Sequence, residues 1–365
     1  MIGRFFCVLF CAAATAVCSC RPPRIQMVNE EFSESYKDPV FYFHAAASKG
    51  DLIAVMRCVE EKIVDVNARD RHGWTALLYA ARHGKNANLE YCASRGADVN
   101  AADPSGATAL MVAIDYRHQE TASFLLEMGA SVNAADSQGV TPLMKAAGLG
   151  YADLCEAIIA RGAAVNACDA RGKTALHYGI ESRYSDVVNA LLRRGADPNM
   201  RDRSGVSPIS LAVEGRDVTI VSALLARGAN PNVKNAGGVP LVLAALMNGD
   251  DAVMKELIDK KADCNAEGPD GATCLMWAIG NRRGDLVPYL LSHGANPNQS
   301  SRDGVTPLMR AAQNGDMDAV RALVDRGARV SARNREGKTA ADIAREYRYY
   351  QLAEYLDAKK KQSSR

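Results

Sequence analysis

An all-α repeat solenoid is the fold this sequence predicts: about ten stacked units, each a helix-turn-helix extended by a hairpin-like finger, forming a curved rod. Two observations predict it. A glycine returns along the chain at Gly73, Gly106, Gly139, Gly172, Gly205, Gly237, Gly271, Gly304 and Gly337, most often after 33 residues. Each heads a short phrase of one kind, as in Gly73-Trp-Thr-Ala-Leu77 and Gly139-Val-Thr-Pro-Leu143. Such a period describes small units that bury their apolar faces only by stacking, so the chain presents a long surface before it presents a pocket.

The unit opened by Gly139 justifies the elements in order. Thr141 followed by Pro142 is a helix start, because the hydroxyl caps free amides and proline suits a first turn whose N–H has no partner. The spacing predicts a short helix from Pro142 to about Leu149, with Gly150 as a left-handed cap. A second helix follows from about Ala152 to Arg161, with Leu154, Ala157, Ile158 and Ile159 on its apolar face. Gly162 closes it, and Ala163 to Gly172 is extended and ends in turn residues, the signature of a finger leading into the next unit.

This pattern resembles the ankyrin repeat down to individual motif positions. Thr174-Ala-Leu-His177 is close to the family's Thr-Pro-Leu-His. Arg95-Gly-Ala-Asp-Val-Asn-Ala101, Arg194-Gly-Ala-Asp-Pro-Asn199 and Arg227-Gly-Ala-Asn-Pro-Asn232 match its link from helix to finger. The resemblance covers residues 40 to 358. It implies stacking and a protein partner without specifying which, since members of one fold serve unrelated roles. The expected organisation is an N-terminal capping repeat over 40–72, eight repeats over 73–336, a C-terminal capping repeat over 337–358 and a basic tail over 359–365 that includes Lys359 to Lys361.

The first twenty residues differ from the rest. Arg4 precedes the apolar run Phe5–Val17, which is short for a membrane span and suits the core of an export signal. Three outcomes stand open. Val17-Cys-Ser-Cys20 resembles a bacterial lipobox with Cys20 as the lipidated residue; Ala14-Thr-Ala16 offers ordinary signal cleavage; or the segment is an uncleaved anchor or a misread start. Residues 21–39, with Pro22, Pro23 and Pro39 and no apolar period, read as a flexible tether.

Lysine plus arginine total 44 against 42 acids, a balance that argues against a dedicated nucleic-acid binder. The cysteines beyond the export segment, at 58, 92, 155, 168, 264 and 274, form no metal-ligand spacing, so no metal is expected. Cys92 aligns with Leu125 as a packed apolar residue, and a Cys264–Cys274 bridge is one option in an oxidising compartment. His177 takes the structural histidine position of the resemblance. No serine elbow, phosphate loop or paired-carboxylate arrangement is present, so no catalytic residue and no cofactor are expected.

In ankyrin proteins partners usually lie on the concave side, against finger tips and exposed positions of the first helix. Carried over by phase, the candidate partner-binding residues are Arg71, His72 and Trp74; Arg82 and His83; Asp115 and Tyr116; Arg171 and Lys173; Arg203; Asp270; Arg302 and Asp303; and Arg335. Trp74 and Tyr116 are the expected anchors. One departure is specific to this chain: the cap glycine of the first helix, present at 50, 84, 150 and 315, is replaced by Arg117, Arg183, Arg216, Arg282 and Arg348. Either these guanidiniums bond helix-end carbonyls, or they form a row of cations along one edge. A second irregularity is the unit at Gly237, which lacks the capping threonine and whose spacing slips to 32 and recovers with 34.

Together these features predict a monomeric, exported, lipid-anchored scaffold of the bacterial cell envelope that binds another protein, touching the membrane through Cys20 if it is acylated. A periplasmic accessory or stress-protection factor and a secreted effector of host proteins are the alternatives.

Overall fold

The computed structural model describes residues 38–363; the export segment with Cys20, and the tether up to residue 37, lie outside the described residues. Twenty α-helices in the described part form ten successive pairs. They are α1 Pro39–Lys49 with α2 Leu52–Glu60, α3 Ala76–Arg82 with α4 Asn86–Ser94, α5 Ala109–Asp115 with α6 Gln119–Glu127, and α7 Pro142–Leu149 with α8 Ala152–Ala160. Then come α9 Ala175–Glu181 with α10 Ser185–Arg193, α11 Pro208–Glu214 with α12 Val218–Ala226, and α13 Leu241–Met247 with α14 Asp251–Asp259. The last three pairs are α15 Cys274–Gly280 with α16 Val287–Ser292, α17 Pro307–Asn314 with α18 Met317–Asp325, and α19 Ala340–Glu346 with α20 Tyr350–Ser363. Each first helix packs on the first helix of the next unit and most second helices on the next second helix, so two layers run along the array. Contacts are more extensive along most of the first-helix row. Small residues permit the close approach: Ala80, Ala81, Ala113, Ala146, Ala147, Ala311 and Ala312 are all fully buried. The core is correspondingly one continuous cluster from Phe43 to Leu356.

The local chemistry follows the expected pattern. Thr141 caps α7 by accepting from the Met144 amide at 3.4 Å, and Thr75, Ser207, Thr273, Thr306 and Thr339 cap their helices in the same way. Without such a hydroxyl, α13 begins at Pro240 with no side-chain cap. Between units an asparagine staple recurs with the repeat. Asn133 Nδ2 donates to the Gly162 carbonyl at 3.0 Å while its Oδ1 accepts from the Ala164 amide at 2.8 Å. Asn67, Asn166, Asn199, Asn265 and Asn298 make the same pair of bonds. Each staple satisfies two backbone groups that the end of a second helix leaves open.

Two expectations are corrected. The spacing does not slip at residue 237: Gly238, with φ 73°, is the left-handed finger glycine, and Gly249, also at 73°, is the cap of α13 in register with the other units. The adjacent Gly-Gly pair hides this in the sequence. What sets the register is the acceptor three residues earlier, Asn235, which takes the amides of Gly237 and Val239 just as Asp202 takes those of Ser204 and Val206. The array's extra residue lies instead in the first finger, where the step from Lys62 to Gly73 is one longer than that from Gly96 to Gly106. The second correction is at the C-terminal end. Helix α20 runs on to Ser363, so Lys359–Lys361 ride on a helix and are not a tail behind it. Lys359 lies over the Tyr355 ring at 5.7 Å, one turn earlier, and lysines in a last turn complement the helix dipole.

Candidate functional site

Most fingers are held by one carboxylate or amide that accepts two backbone N–H groups across the turn; at Gly271 and Gly304 the acceptor position is Gly268 and Ser301 instead. Asp70 accepts from His72 and Trp74 at 2.8 and 2.9 Å, and Asp169 from Arg171 and Lys173 at 2.8 Å each. In two units a first-helix tyrosine completes this acceptor: Tyr79 donates to Asp70 at 2.8 Å and Tyr178 to Asp169 at 2.9 Å. Burial works against the Asp70 carboxylate, but the bonds from Trp74, Tyr79 and His72 outweigh it and hold its pKa below the usual carboxylate value. Burial and Asp70 together push the Tyr79 hydroxyl up to about 12. Successive tips are stitched as well, as where the Arg203 amide donates to the Arg171 carbonyl at 2.9 Å. The finger-tip residues therefore sit on rigid turns.

The candidate surface residues divide into two groups. Those of the central and C-terminal units are largely engaged within the chain. Arg171 reaches Asp169 and Tyr178, Lys173 pairs with Glu181 at 2.5 Å, and Asp270 accepts from the Ala272 amide at 3.0 Å. Arg335 lies 3.7 Å from Asp303, both strongly exposed, a pair of little energetic weight. Arg203 and Arg302 are exposed tips without a side-chain hydrogen bond. Asp115 is taken by Lys145 at 2.8 Å.

The N-terminal group is brought together. Trp74, Arg82 and Tyr116 come from a finger and two first helices, and the structure stacks them: the Arg82 guanidinium lies 5.7 Å from the Trp74 ring centre and 4.8 Å from that of Tyr116. The stack continues inward, with Trp74 5.2 Å from Tyr79 and Tyr79 5.4 Å from the buried His44. His44 Nε2 donates to the Ala68 carbonyl at 3.1 Å, and burial holds its pKa below the ordinary histidine value. Arg71 donates to His72 at 3.1 Å beside the stack. His83 is also held below its ordinary value, first by desolvation and then by the cations Arg82 and Lys85 and the neighbouring His118. His44 and Tyr79 were not among the sequence candidates. The signal that could have marked Tyr79 is its recurrence three units later as Tyr178, each nine residues after the finger aspartate.

The cap arginines do not bond helix-end carbonyls. Arg117, Arg183, Arg216, Arg282 and Arg348 keep the left-handed geometry, with φ between 56° and 64°, and all five are exposed. The carbonyls are taken from the next unit instead, as by His118 on Arg82 at 2.9 Å and Asn314 on Ile279 at 2.6 Å. Nor is the edge uniformly cationic, because it also exposes Glu120, Asp153, Asp186, Glu214 and Asp318. What sorts glycine from arginine is the first residue of the next unit's second turn. A Cβ on Gly150 would stand 2.8 Å from the Tyr184 ring, one on Gly315 closer still to the Tyr349 ring, one on Gly84 2.9 Å from His118 and one on Gly50 2.9 Å from Lys85. Arg183, Arg216 and Arg282 face the shorter Asp217, Asp250 and Asp316, which cap their own helices. Arg117 beside Tyr151 and the uncrowded Gly249 do not follow this rule, and nothing in the structure explains them.

His177 has its structural role: Nδ1 accepts from the Thr174 amide at 3.2 Å and Nε2 faces the Val206 carbonyl at 3.4 Å. The six cysteines in the described part are free thiols, Cys264 and Cys274 included, and all but Cys168 are buried. Burial pushes Cys274 up to about 12. Among the described residues no group of three or more His, Cys, Asp or Glu could hold a metal ion, and no helix is long and apolar enough to cross a membrane.

Against known proteins, the family described as ankyrin repeats matches residues 43–136, 132–202, 209–301 and 285–363. No curated protein matches the chain. Among solved structures, the ankyrin repeat domain of Bcl-3, described as a unique member of the IkappaB protein family, is similar at 28% identity and a TM-score of 0.53. The match covers 60% of this chain and 99% of that one.

Proposed function

Since the chain belongs to the ankyrin-repeat family, we propose that it is a scaffold that binds another protein along its concave surface, and that the N-terminal units carry the anchor. The observation that carries this reading is the stack of Trp74, Arg82 and Tyr116. Two adjacent units contribute to one aromatic and cationic platform, the residue types that dominate interface energies. Corresponding positions further along are engaged with neighbours inside the chain. The fingers and first helices are rigid, so contact costs little ordering. The role needs no covalent chemistry from this chain.

A photo-crosslinking residue placed at Tyr116, and for comparison at the exposed Asp325 in the second-helix layer, tests the face in native extracts. A discrete adduct at 116 and none at 325 is expected. Equal labelling at both would remove the concave face from the proposal.

Export and lipid anchoring are part of the proposal, supported by the apolar run Phe5–Val17 and by Val17-Cys-Ser-Cys20. A tethered scaffold would hold its partner at the bacterial envelope. Mass spectrometry of the amino-terminal peptide decides it: a diacylglyceryl-modified Cys20 supports the anchor, and an unmodified start near Val17 replaces it with a soluble exported binder.

A further inference from the structure

We propose that the Arg82 guanidinium is the receptor for a carboxylate, so that the partner presents an acidic segment in which Asp or Glu stands beside an apolar residue. This rests on the concave face being the protein-binding face and goes on to name the chemistry of what it binds.

Arg82 is half-buried, and its Nε is shielded from solvent with no hydrogen-bond partner. Among the described residues it makes no ion pair. Other arginines of this chain that approach a carboxylate take it: Arg283 binds Asp251 at 2.6 Å, Arg95 binds Glu60 at 2.9 Å and Arg193 binds Glu156 at 2.9 Å. The acids near Arg82 are committed elsewhere, Asp70 to its own turn and Tyr79, and Asp115 to Lys145. The Trp74 and Tyr116 rings beside the guanidinium restrict its orientation and cover part of its surface. The cost of an unmade bond is then high and the fork is set for bidentate pairing. The surroundings have the complementary sign. Arg71 and Lys85 lie around the stack and Arg117 follows Tyr116 in the chain, while desolvation, and after it Arg82 and Lys85, holds the His83 pKa below its ordinary value. Tyr116, 46% exposed, supplies apolar surface next to the charge. A carboxylate fits better than a polyanion, because the chain as a whole is balanced at +2 and the site centres on one guanidinium, not on a basic track.

The probe is a library of random twelve-residue displayed peptides selected on the full-length protein, followed by affinity measurement of the selected peptides on variants whose thermal melts match wild type. The expected result is enrichment of Asp or Glu beside an apolar residue, and a loss of about tenfold or more in affinity on Arg82→Gln. Arg82→Lys should recover only part, because the charge returns without the stacked fork. Arg321→Gln, exposed on the second-helix layer far along the array, should change nothing. Peptides that lose binding on Trp74→Ala but show no acidic enrichment and ignore Arg82→Gln would overturn the carboxylate reading and leave the face intact. Peptides indifferent to Trp74, Arg82 and Tyr116 would overturn both. Selection of no peptide, or displacement by a thymidine oligonucleotide with the same Arg82 dependence, would also overturn it.

Discussion

Gly150→Arg combined with Tyr184→Asp converts one type of inter-unit contact into the other, and the energies follow from the geometry. At φ 84° a side chain at 150 meets the left-handed penalty of about 1 kcal/mol. Its Cβ would also stand 2.8 Å from the Tyr184 ring, an overpacking cost of about 1–3 kcal/mol. The single variant should therefore lose about 2–4 kcal/mol, toward the low end because Tyr184 is 42% exposed and its ring can swing aside. Tyr184 gives α10 no side-chain cap, so Tyr184→Asp alone should gain about 1 kcal/mol by capping as Asp217 does for α12. The double variant reproduces the Arg183 and Asp217 pairing. It should lie within about 1 kcal/mol of wild type, with a coupling of about 1–3 kcal/mol. Urea unfolding of the four proteins measures the cycle. Native-state hydrogen exchange across α7–α10 should accompany it, because an array of nearest-neighbour interfaces need not unfold in one step. Coupling below about 0.5 kcal/mol would refute the argument and show that every unit tolerates both residues, as Arg117 beside Tyr151 does.

The remaining predictions concern protons, staples and thiols. His44 and His177 are held below their ordinary pKa by burial, so the unfolded chain binds their protons first. Their contribution is complete above a pH of about 6.5 and falls as pH drops below it. Melting temperatures from pH 8 to 5 should show this, and His177→Gln, which keeps an acceptor for Thr174 but does not titrate, should reduce the slope. Asn133→Ala leaves the Gly162 carbonyl and the Ala164 amide to water and should cost about 1–2 kcal/mol, with faster exchange localised to the α6–α8 interface. Of the six cysteines in the described residues, Cys168 alone is exposed. Iodoacetamide on the native protein should modify Cys168 first and Cys92, Cys155 and Cys274 only on unfolding, which peptide mapping resolves.

Much of the fold was legible in the residues because the repeat states each local rule again and again. Thr141-Pro142 starts α7 and Gly150 ends it where the sequence places them, since caps and proline act within one turn of the chain. Gly237 misled for the same local reason: two glycines stood together, and the choice between them belongs to Asn235, whose acceptor bonds close the turn. An asparagine or aspartate three residues before the finger glycine was visible in seven of the nine cases, at 70, 103, 136, 169, 202, 235 and 334, and would have fixed the register. The basic end went unrecognised as helix because its support is the helix already formed beneath it.

By itself the sequence determined the unit, its period and most of its helix starts and stops. Stacking decided the rest. Which cap positions must be glycine depends largely on a side chain arriving from the next unit, as Tyr184 does 34 residues after Gly150. Which surface residues remain open for a partner depends on pairs such as Lys145 with Asp115, 30 residues apart. These relations join residues that no local rule connects, because they exist only once one unit packs on another, and they leave Arg82 stacked between two rings without a carboxylate.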